Sequence, residues 1–447
     1  VHDPNADVPA AAFDGDGGVI REPLVPLFDL VLCVSDAVDL VSPNVAQHHK
    51  QVAYLAQAIA REMGVPHDTR HEIVLAGMLH DIGALSLKER LELLQFETRD
   101  PHRHAEIASR LLFSFPRLRK AGELVRFHHL PWDEGRGEEF HGLPVPLESH
   151  IIHLADRVAV SIDRRQGILV QAPNICKRIA AQRGRLFSPA VVDAFLAAAE
   201  RECFWLDATS PSLTPALRET VAMDSIELGP DEILAATNLF RQIIDFRSRF
   251  TARHSAGVAA VAEALAALFG FSARELRLMR VAGYLHDLGK LAVPAEILEK
   301  PGRLTDEEYS IMRAHTFHTY YTYRTLRSVH GMAVVSAWAA FHHERLDGSG
   351  YPFHLKAADL PLGSRIMAVA DTFTALTEDR PYRNGMDVDR AFSILMEMAE
   401  KRALDREIVE LARGHLGKIN DARATAQADA TEEYRRLFAE LDTAPSP

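Results

Sequence analysis

The chain is short of cysteine, of aromatics and of long apolar runs, and each shortage removes a class of protein. Its three cysteines, Cys33, Cys176 and Cys203, share no C-x-x-C spacing, which argues against a zinc ribbon or a disulfide framework. They read as ordinary buried or half-buried thiols. No run of 18 apolar residues occurs, so no membrane span and no membrane partner are expected. Positive charge is also short, with 50 Lys and Arg against 62 Asp and Glu, for a net charge of −12. That balance argues against a sequence-independent binder of DNA or RNA, which needs a basic face. It leaves room for a small anion held by a local positive site. The opening "VHDPNADVPAAAFDGDGG" lacks the basic start and apolar centre of a signal peptide. Residues 1–23 read as a disordered acidic tail, and a cytoplasmic location is expected.

Alternating strand patterns are missing too, whereas helical periodicity is everywhere. Val52, Leu55, Ala56, Ile59 and Met63 fall at helical spacing before Gly64 and Pro66. Val258, Val261, Ala262, Leu265 and Leu268 do the same before Gly270. Thr305 and Glu308 form a capping box. The expected fold class is all-α.

Histidine is the excess, with 22 copies, and its arrangement repeats. "GMLHDIGAL" at residues 77–85 returns as "GYLHDLGKL" at 283–291, an offset of 206. His48 precedes the first His-Asp pair by 32 residues, and His254 precedes the second by 32. His104 and His315 follow, 24 and 29 residues on. Then come the double histidines His128-His129 and His342-His343, and finally Asp156 and Asp371. Five landmarks in one order point to two tandem copies of one helical domain. We place the first at residues 24–206 and the second at 233–420. The Ser-, Thr- and Pro-rich stretch 207–232 reads as their junction, and 421–447 as a charged helix and tail.

In the second copy the candidate ligands are His254, His286, Asp287, His315, His342, His343 and Asp371. Imidazole with carboxylate suits divalent transition metals: iron or manganese first, nickel or zinc as alternatives. Seven ligands exceed the needs of one open catalytic ion and suit two, with Asp287 placed to bridge. Two such ions can bind a phosphodiester, activate water and stabilise the leaving oxygen. Lys290, one helical turn after Asp287, can neutralise phosphate charge or protonate the leaving alkoxide. A lone His-Asp pair is more often a structural hydrogen bond; the ordered set, seen twice, is what points to metal.

Residues 233–420 strongly resemble the HD-GYP cyclic dinucleotide phosphodiesterases of the HD metallohydrolase superfamily. The resemblance rests on "YLHDLGK", part of "RAHTFHTYY", "FHHERLDGSGYP" and "ADTFTALTEDRPYR". It implies that the loop with Gly350, Tyr351 and Pro352 borders the substrate. It implies also that Arg380 and Arg383 face its phosphates, which Arg suits by its bidentate fork. Three positions depart from the family pattern. Phe250 replaces the Glu that supports a third metal in some members, so two ions are expected. Thr374 stands for a common Asp, and Thr319 for a frequent Gly.

The first copy keeps the ligand order in His48, His80, Asp81, His104, His128, His129 and Asp156. It has Ala84 for the lysine, and "HHLPWDEGRGEEFHG" replaces the GYP loop. It reads as a degenerate HD domain with a further metal site but poor catalysis, acting as a regulatory or dimer-like partner. A homodimer or a signalling protein is the macromolecular partner considered. The function expected is hydrolysis of a bacterial cyclic dinucleotide, cyclic di-GMP by default, to the linear dinucleotide and onward to GMP. Cyclic GMP-AMP is the alternative substrate, and a non-catalytic cyclic dinucleotide binding protein is the alternative class.

Overall fold

The computed structural model describes residues 24–40, 46–84, 102–221, 226–246, 253–300, 302–322, 326, 331–379 and 384–439. The acidic start 1–23, Phe250, Arg380 and Arg383 lie outside them. The described chain is helical, with two antiparallel pairings of two-residue strands. Among the described residues no helix is long and apolar enough to cross a membrane. The chain divides into two units, one of Val38–Ile226 and one of residues up to Ala37 with Glu227–Arg436.

The helices in chain order are α1 (Leu27–Asp39), α2 (His48–Glu62), α3 (His67–Leu79), α4 (His102–Phe113), α5 (Arg119–Arg126) and α6 (Leu147–Ala159). Then follow α7 (Ile168–Ala180), α8 (Pro189–Ala199), α9 (Glu202–Ala208) and α10 (Leu213–Val221). In the amino-terminal unit α2 packs on α3 and α6, and α4 on α5. Val52, Leu55, Ala56 and Ile59 form the buried face of α2, as their spacing requires, and Met63 at its end is half-buried.

The carboxy-terminal unit continues with α11 (Pro230–Asp245), α12 (His254–Leu268), α13 (Ala273–Leu285), α14 (Ala295–Leu298) and α15 (Asp306–Thr322). It ends with α16 (Met332–Ala340), α17 (Leu362–Thr377), α18 (Val388–Glu400), α19 (Arg406–Arg413) and α20 (Leu416–Ala439). Here α12 packs on α13 and α17, repeating α2 on α3 and α6. The capping box at α15 is present: Glu308 accepts from Thr305 N at 2.7 Å, and Thr305 Oγ1 accepts from Glu308 N at 3.2 Å.

Two expected boundaries move. Residues 24–37 group with the carboxy-terminal unit, not with the domain that begins the sequence. Val25 pairs with Leu228, and Leu27, Leu30, Val31 and Val34 of α1 are buried. A helix that is apolar on most sides needs a surrounding core, and a local pattern does not name which core. The stretch 207–232, read as a junction, contains α10 and the start of α11. Leu213 and Leu217, four apart, are buried and anchor α10, and Pro215 sits in its first turn, where a missing N–H costs little. The boundary at residue 420 falls inside α20.

Candidate metal centres

The ligand residues stand at equivalent places in both units. His48 opens α2 and His254 opens α12; His80-Asp81 follows α3 and His286-Asp287 follows α13. His104 lies on α4 and His315 on α15, the histidine pairs follow α5 and α16, and Asp156 and Asp371 lie on α6 and α17. Glycine at the end of each His-Asp turn is a steric need. A Cβ on Gly83 would sit 2.0 Å from His104 O, and one on Gly289 would sit 1.9 Å from His315 O. The turn therefore lies against the helix that carries the third histidine.

In the carboxy-terminal unit the ligand atoms form two triads, His254–His286–Asp371 and His315–His342–His343, each within 4.8 Å. Asp287 stands between them. Its Oδ2 is 3.2 Å from His286 Nε2 and 3.8 Å from His254 Nε2, and its Oδ1 is 3.5 Å from His315 Nε2. Asp371 Oδ1 is 3.2 Å from His254 Nε2, and its Oδ2 is 4.0 Å from His343 Nδ1. Lys290 Nζ donates to Asp287 Oδ2 at 2.5 Å.

The histidines are aimed by their second nitrogens. His286 Nδ1 donates to Gly283 O at 2.8 Å, His315 Nδ1 to Met312 O at 2.6 Å and His342 Nδ1 to Ala339 O at 2.6 Å. Each bond leaves Nε2 as the lone-pair atom facing the centre, the arrangement a metal-ligating imidazole uses. His254 Nδ1 is held by Glu378 Oε1 at 2.9 Å, and Glu378 is buried.

Whether these residues fit metal can be judged from their unmet valence. His286 Nε2 and Asp287 Oδ1 are buried and make no hydrogen bond. In the amino-terminal unit the same holds for His80, His104, His128 and His129 Nε2 and for Asp81 and Asp156 Oδ1. Buried polar atoms without partners are costly, and so many converging on two points are the signature of a cation site. The residues fit divalent metal in both units.

The fold and the sequence can now be set beside known proteins. The HD domain family matches residues 45–161 and again residues 238–408. A 3′3′-cGAMP-specific phosphodiesterase 1 of Vibrio cholerae is 31% identical over 403 residues, covering 87% of this chain and 91% of that protein. The chain belongs to the HD-domain family of that phosphodiesterase. The cyclic di-GMP phosphodiesterase response regulator RpfG of Xanthomonas campestris is 34% identical over 214 residues, 47% of this chain and 55% of RpfG. The crystal structure of a cyclic GMP-AMP specific phosphodiesterase of V. cholerae shares the fold, with a TM-score of 0.64 at 20% identity over 88% of this chain and 98% of that one.

The electrostatics of this HD centre suit cation binding. Burial opposes ionisation of Asp287, yet the neighbouring His286 and Lys290 hold its carboxyl well below the usual range. Asp371 is likewise held low against burial, by His254 and His343. Burial pushes His315 down to about 3 and lowers His342 and His343 as well. The ionised carboxylates and the neutral His315, His342 and His343 are in the state that binds a cation.

Around the centre, Tyr351 packs on His343 with ring centroids 5.0 Å apart, and the Arg313 guanidinium lies 4.6 Å from the Tyr351 ring centroid. Glu344 accepts from Phe353 N at 2.7 Å and from Leu355 N at 3.0 Å, tying down the loop. A Cβ on Gly350 would lie 2.4 Å from Glu344 Cα, so only glycine fits this close approach. Thr319, in place of the frequent Gly, links the turn: its Oγ1 accepts from Gly289 N at 2.9 Å and donates to His286 O at 3.1 Å. Thr374 is buried.

Sequence reasoning missed Glu378, Arg313 and Arg157. Glu378 lies seven residues after Asp371, just past the end of the helix that carries it, so its nearness in sequence was a readable signal. Arg313 had none, because its neighbour Tyr351 is distant in sequence. Arg157 directly follows Asp156, at the place where Asp371 is followed by Thr372.

Proposed function

We propose that the protein is a phosphodiesterase that hydrolyses a 3′,5′-cyclic dinucleotide at the carboxy-terminal centre, with His254, His286, Asp287, His315, His342, His343 and Asp371 as ligands to two divalent ions. The observation that carries this reading is Asp287, one of whose oxygens faces His286 of the first triad and the other His315 of the second, while Lys290 donates to the first of these oxygens. Iron or manganese suits the mixed imidazole–carboxylate set. Such ions supply Lewis-acid activation of the phosphodiester and of the attacking water.

The chain's own residues do the rest. Asp287 and Asp371 fix the spacing of the two triads. Lys290, donating to the Asp287 carboxylate, places a positive charge there that would neutralise phosphate charge and give a proton to the departing oxygen. Tyr351, held by His343 and Arg313, forms one wall, with Gly350 and Pro352 in the loop below it. Arg380 and Arg383 are assigned to the outer phosphate contacts by family resemblance.

The substrate order expected from sequence changes here. The relative covered over 91% of its length is named as specific for 3′3′-cGAMP, whereas RpfG is matched over 55% of its length. We therefore put cyclic GMP-AMP first and cyclic di-GMP second. Protein purified without oxygen and loaded with Mn(II) or Fe(II) should turn over cyclic GMP-AMP faster than cyclic di-GMP. Lys290→Ala should keep its metal and lose turnover. Loss of neither nucleotide from the loaded parent chain would refute the enzymatic reading and favour a binding protein.

A further inference from the structure

The amino-terminal centre reproduces the ligand geometry but not its surroundings. Asp81, His104, His128 and His129 converge within 4.8 Å, as do His48, His80 and Asp156. Asp81 again stands between, with Oδ2 3.4 Å from His80 Nε2 and Oδ1 3.3 Å from His104 Nε2. His80 and His128 are aimed through Nδ1 by Gly77 O at 2.9 Å and Val125 O at 2.6 Å.

Three features then diverge. Ala84, fully buried, replaces the lysine, so the position equivalent to Lys290 carries no ammonium beside Asp81. A different cation appears at the other carboxylate. The Arg157 guanidinium is buried and donates to Asp156 Oδ2 through Nε at 3.1 Å and through Nη2. In the second unit the residue after Asp371 is Thr372, whose hydroxyl turns back to Ala368 O at 2.8 Å. Each centre thus has two carboxylates and one basic side chain. Arg157 supplies the charge of the missing lysine but not its chemistry, because a guanidinium does not give up its proton in a protein. It also leaves Asp156 one oxygen, Oδ1, to face His48 at 3.4 Å and His80 at 3.9 Å.

The third difference is closure. The segment after His129 is stitched to residues 184–186: Trp132 N donates to Leu186 O at 3.0 Å, Asp133 N to Arg185 O at 2.8 Å and Glu134 N to Gly184 O at 2.7 Å. His150 Nε2 donates to Gly137 O at 3.1 Å, and His153 packs between His129 and Phe187, with ring centroids 5.8 and 5.2 Å away. His129 is buried, whereas His343 is half-buried. A closed ligand set is the mark of a structural metal site, and an open position that of a catalytic one.

We propose that the amino-terminal centre is a closed structural site for divalent metal, sealed and charge-balanced by Arg157, which braces α2 to α6 and does not admit a phosphodiester. Metal content and release rate test this without substrate, so its failure is separable from failure of the enzymatic reading. In the full chain carrying His286→Ala and Asp287→Ala, Mn(II) loading followed by desalting and elemental analysis should leave about half of the parent's metal. Metal at background in that folded variant would overturn the site. Release from the parent to excess chelator should show two phases, the slower by about tenfold or more. The slow phase should vanish in a His80→Ala, Asp81→Ala chain; a single fast phase in the parent would overturn closure. Arg157→Thr in the His286→Ala, Asp287→Ala chain should release metal about tenfold faster, and Arg157→Lys, which keeps the charge but loses the two-donor fork, should fall between it and the Arg157 parent. Unchanged release in Arg157→Thr would remove the sealing role. If that variant does not fold, the two-phase release and the lysine variant still decide the matter. Cyclic dinucleotide hydrolysis by the His286→Ala, Asp287→Ala chain would overturn the non-hydrolytic assignment.

Discussion

Glu378 offers a quantitative test of the proposed ligand set, because it touches no substrate and acts only through His254. Its Oε1 holds His254 Nδ1 at 2.9 Å, and Gln427 Nε2 donates to its Oε2 at 3.2 Å. One oxygen thus lies at ion-pair distance from His254 and the other accepts from Gln427, in a site closed to solvent. A carboxylate behind a ligating imidazole fixes the ring and its tautomer and raises the basicity of the other nitrogen. Removing such a partner typically costs about 10- to 100-fold in metal affinity, equivalent to about 1.4–2.8 kcal/mol.

Glu378→Ala should therefore weaken Mn(II) binding by that factor, measured by competition with a chromogenic chelator. It also leaves Gln427 short of an acceptor, at about 1–3 kcal/mol of folding stability. Glu378→Gln keeps an acceptor and the volume but loses the charge, and should fall between the parent and the alanine variant. A structural role alone would lower the unfolding temperature and leave the chelator competition unchanged. That outcome, or parental affinity in Glu378→Ala, would refute His254 as a ligand positioned by Glu378.

Four further outcomes follow from the same geometry. Lys290→Ala should reduce kcat by about 10²- to 10⁴-fold with metal content unchanged in elemental analysis, because proton delivery acts mainly in the transition state. Gly350→Ala forces a Cβ to 2.4 Å from Glu344 Cα, and should cost about 1–3 kcal/mol in denaturant unfolding and raise KM through the displaced Tyr351. Burial raises Glu72 to about 7, so the folded carboxyl binds its proton more tightly than the unfolded one and stability falls as pH rises from about 4.5 to 7. Glu72→Gln should accordingly gain about 1–2 kcal/mol over the parent at pH 8, after allowance for solvent screening, and less than half of that at pH 5.

The helices and the His-Asp clusters were legible in the sequence because both are written in local spacing. Val52, Leu55, Ala56 and Ile59 mark a buried face whatever they pack against, and the His-Asp landmarks repeat in order. The allegiance of α1 was not legible. Its apolar residues call for a core, but the pairing of Val25 with Leu228 spans some 200 residues and leaves no local trace. The helix α10 was hidden by Ser, Thr and Pro around Leu213 and Leu217, a composition that outweighed a short apolar stripe. Arg157 was visible beside Asp156, yet a basic residue next to an acidic one on a helix usually faces solvent. Only the burial of both shows that the charge is turned inward.

The placement of the ligands has a physical reason that links folding to metal binding. His80, His128, His286 and His342 each come just after a helix, and each Nδ1 donates to a carbonyl three residues back. The last carbonyls of a helix have no partner within it, so each ring caps a helix end while its other nitrogen faces the centre. The negative end of each helix dipole then points toward the cluster proposed to hold a cation. A capping ligand should stabilise the fold even without metal, whereas a non-capping one should not. His342 caps Ala339 O at 2.6 Å and is buried, while the side chain of its neighbour His343 is 30% exposed. In metal-free protein, His342→Ala should lose about 1–3 kcal/mol in denaturant unfolding, and His343→Ala should change stability by less than about 0.5 kcal/mol. With metal restored, both should lose affinity. Equal metal-free stabilities would show that the ring contributes nothing as a cap, and that the histidines sit at helix ends for the metal alone.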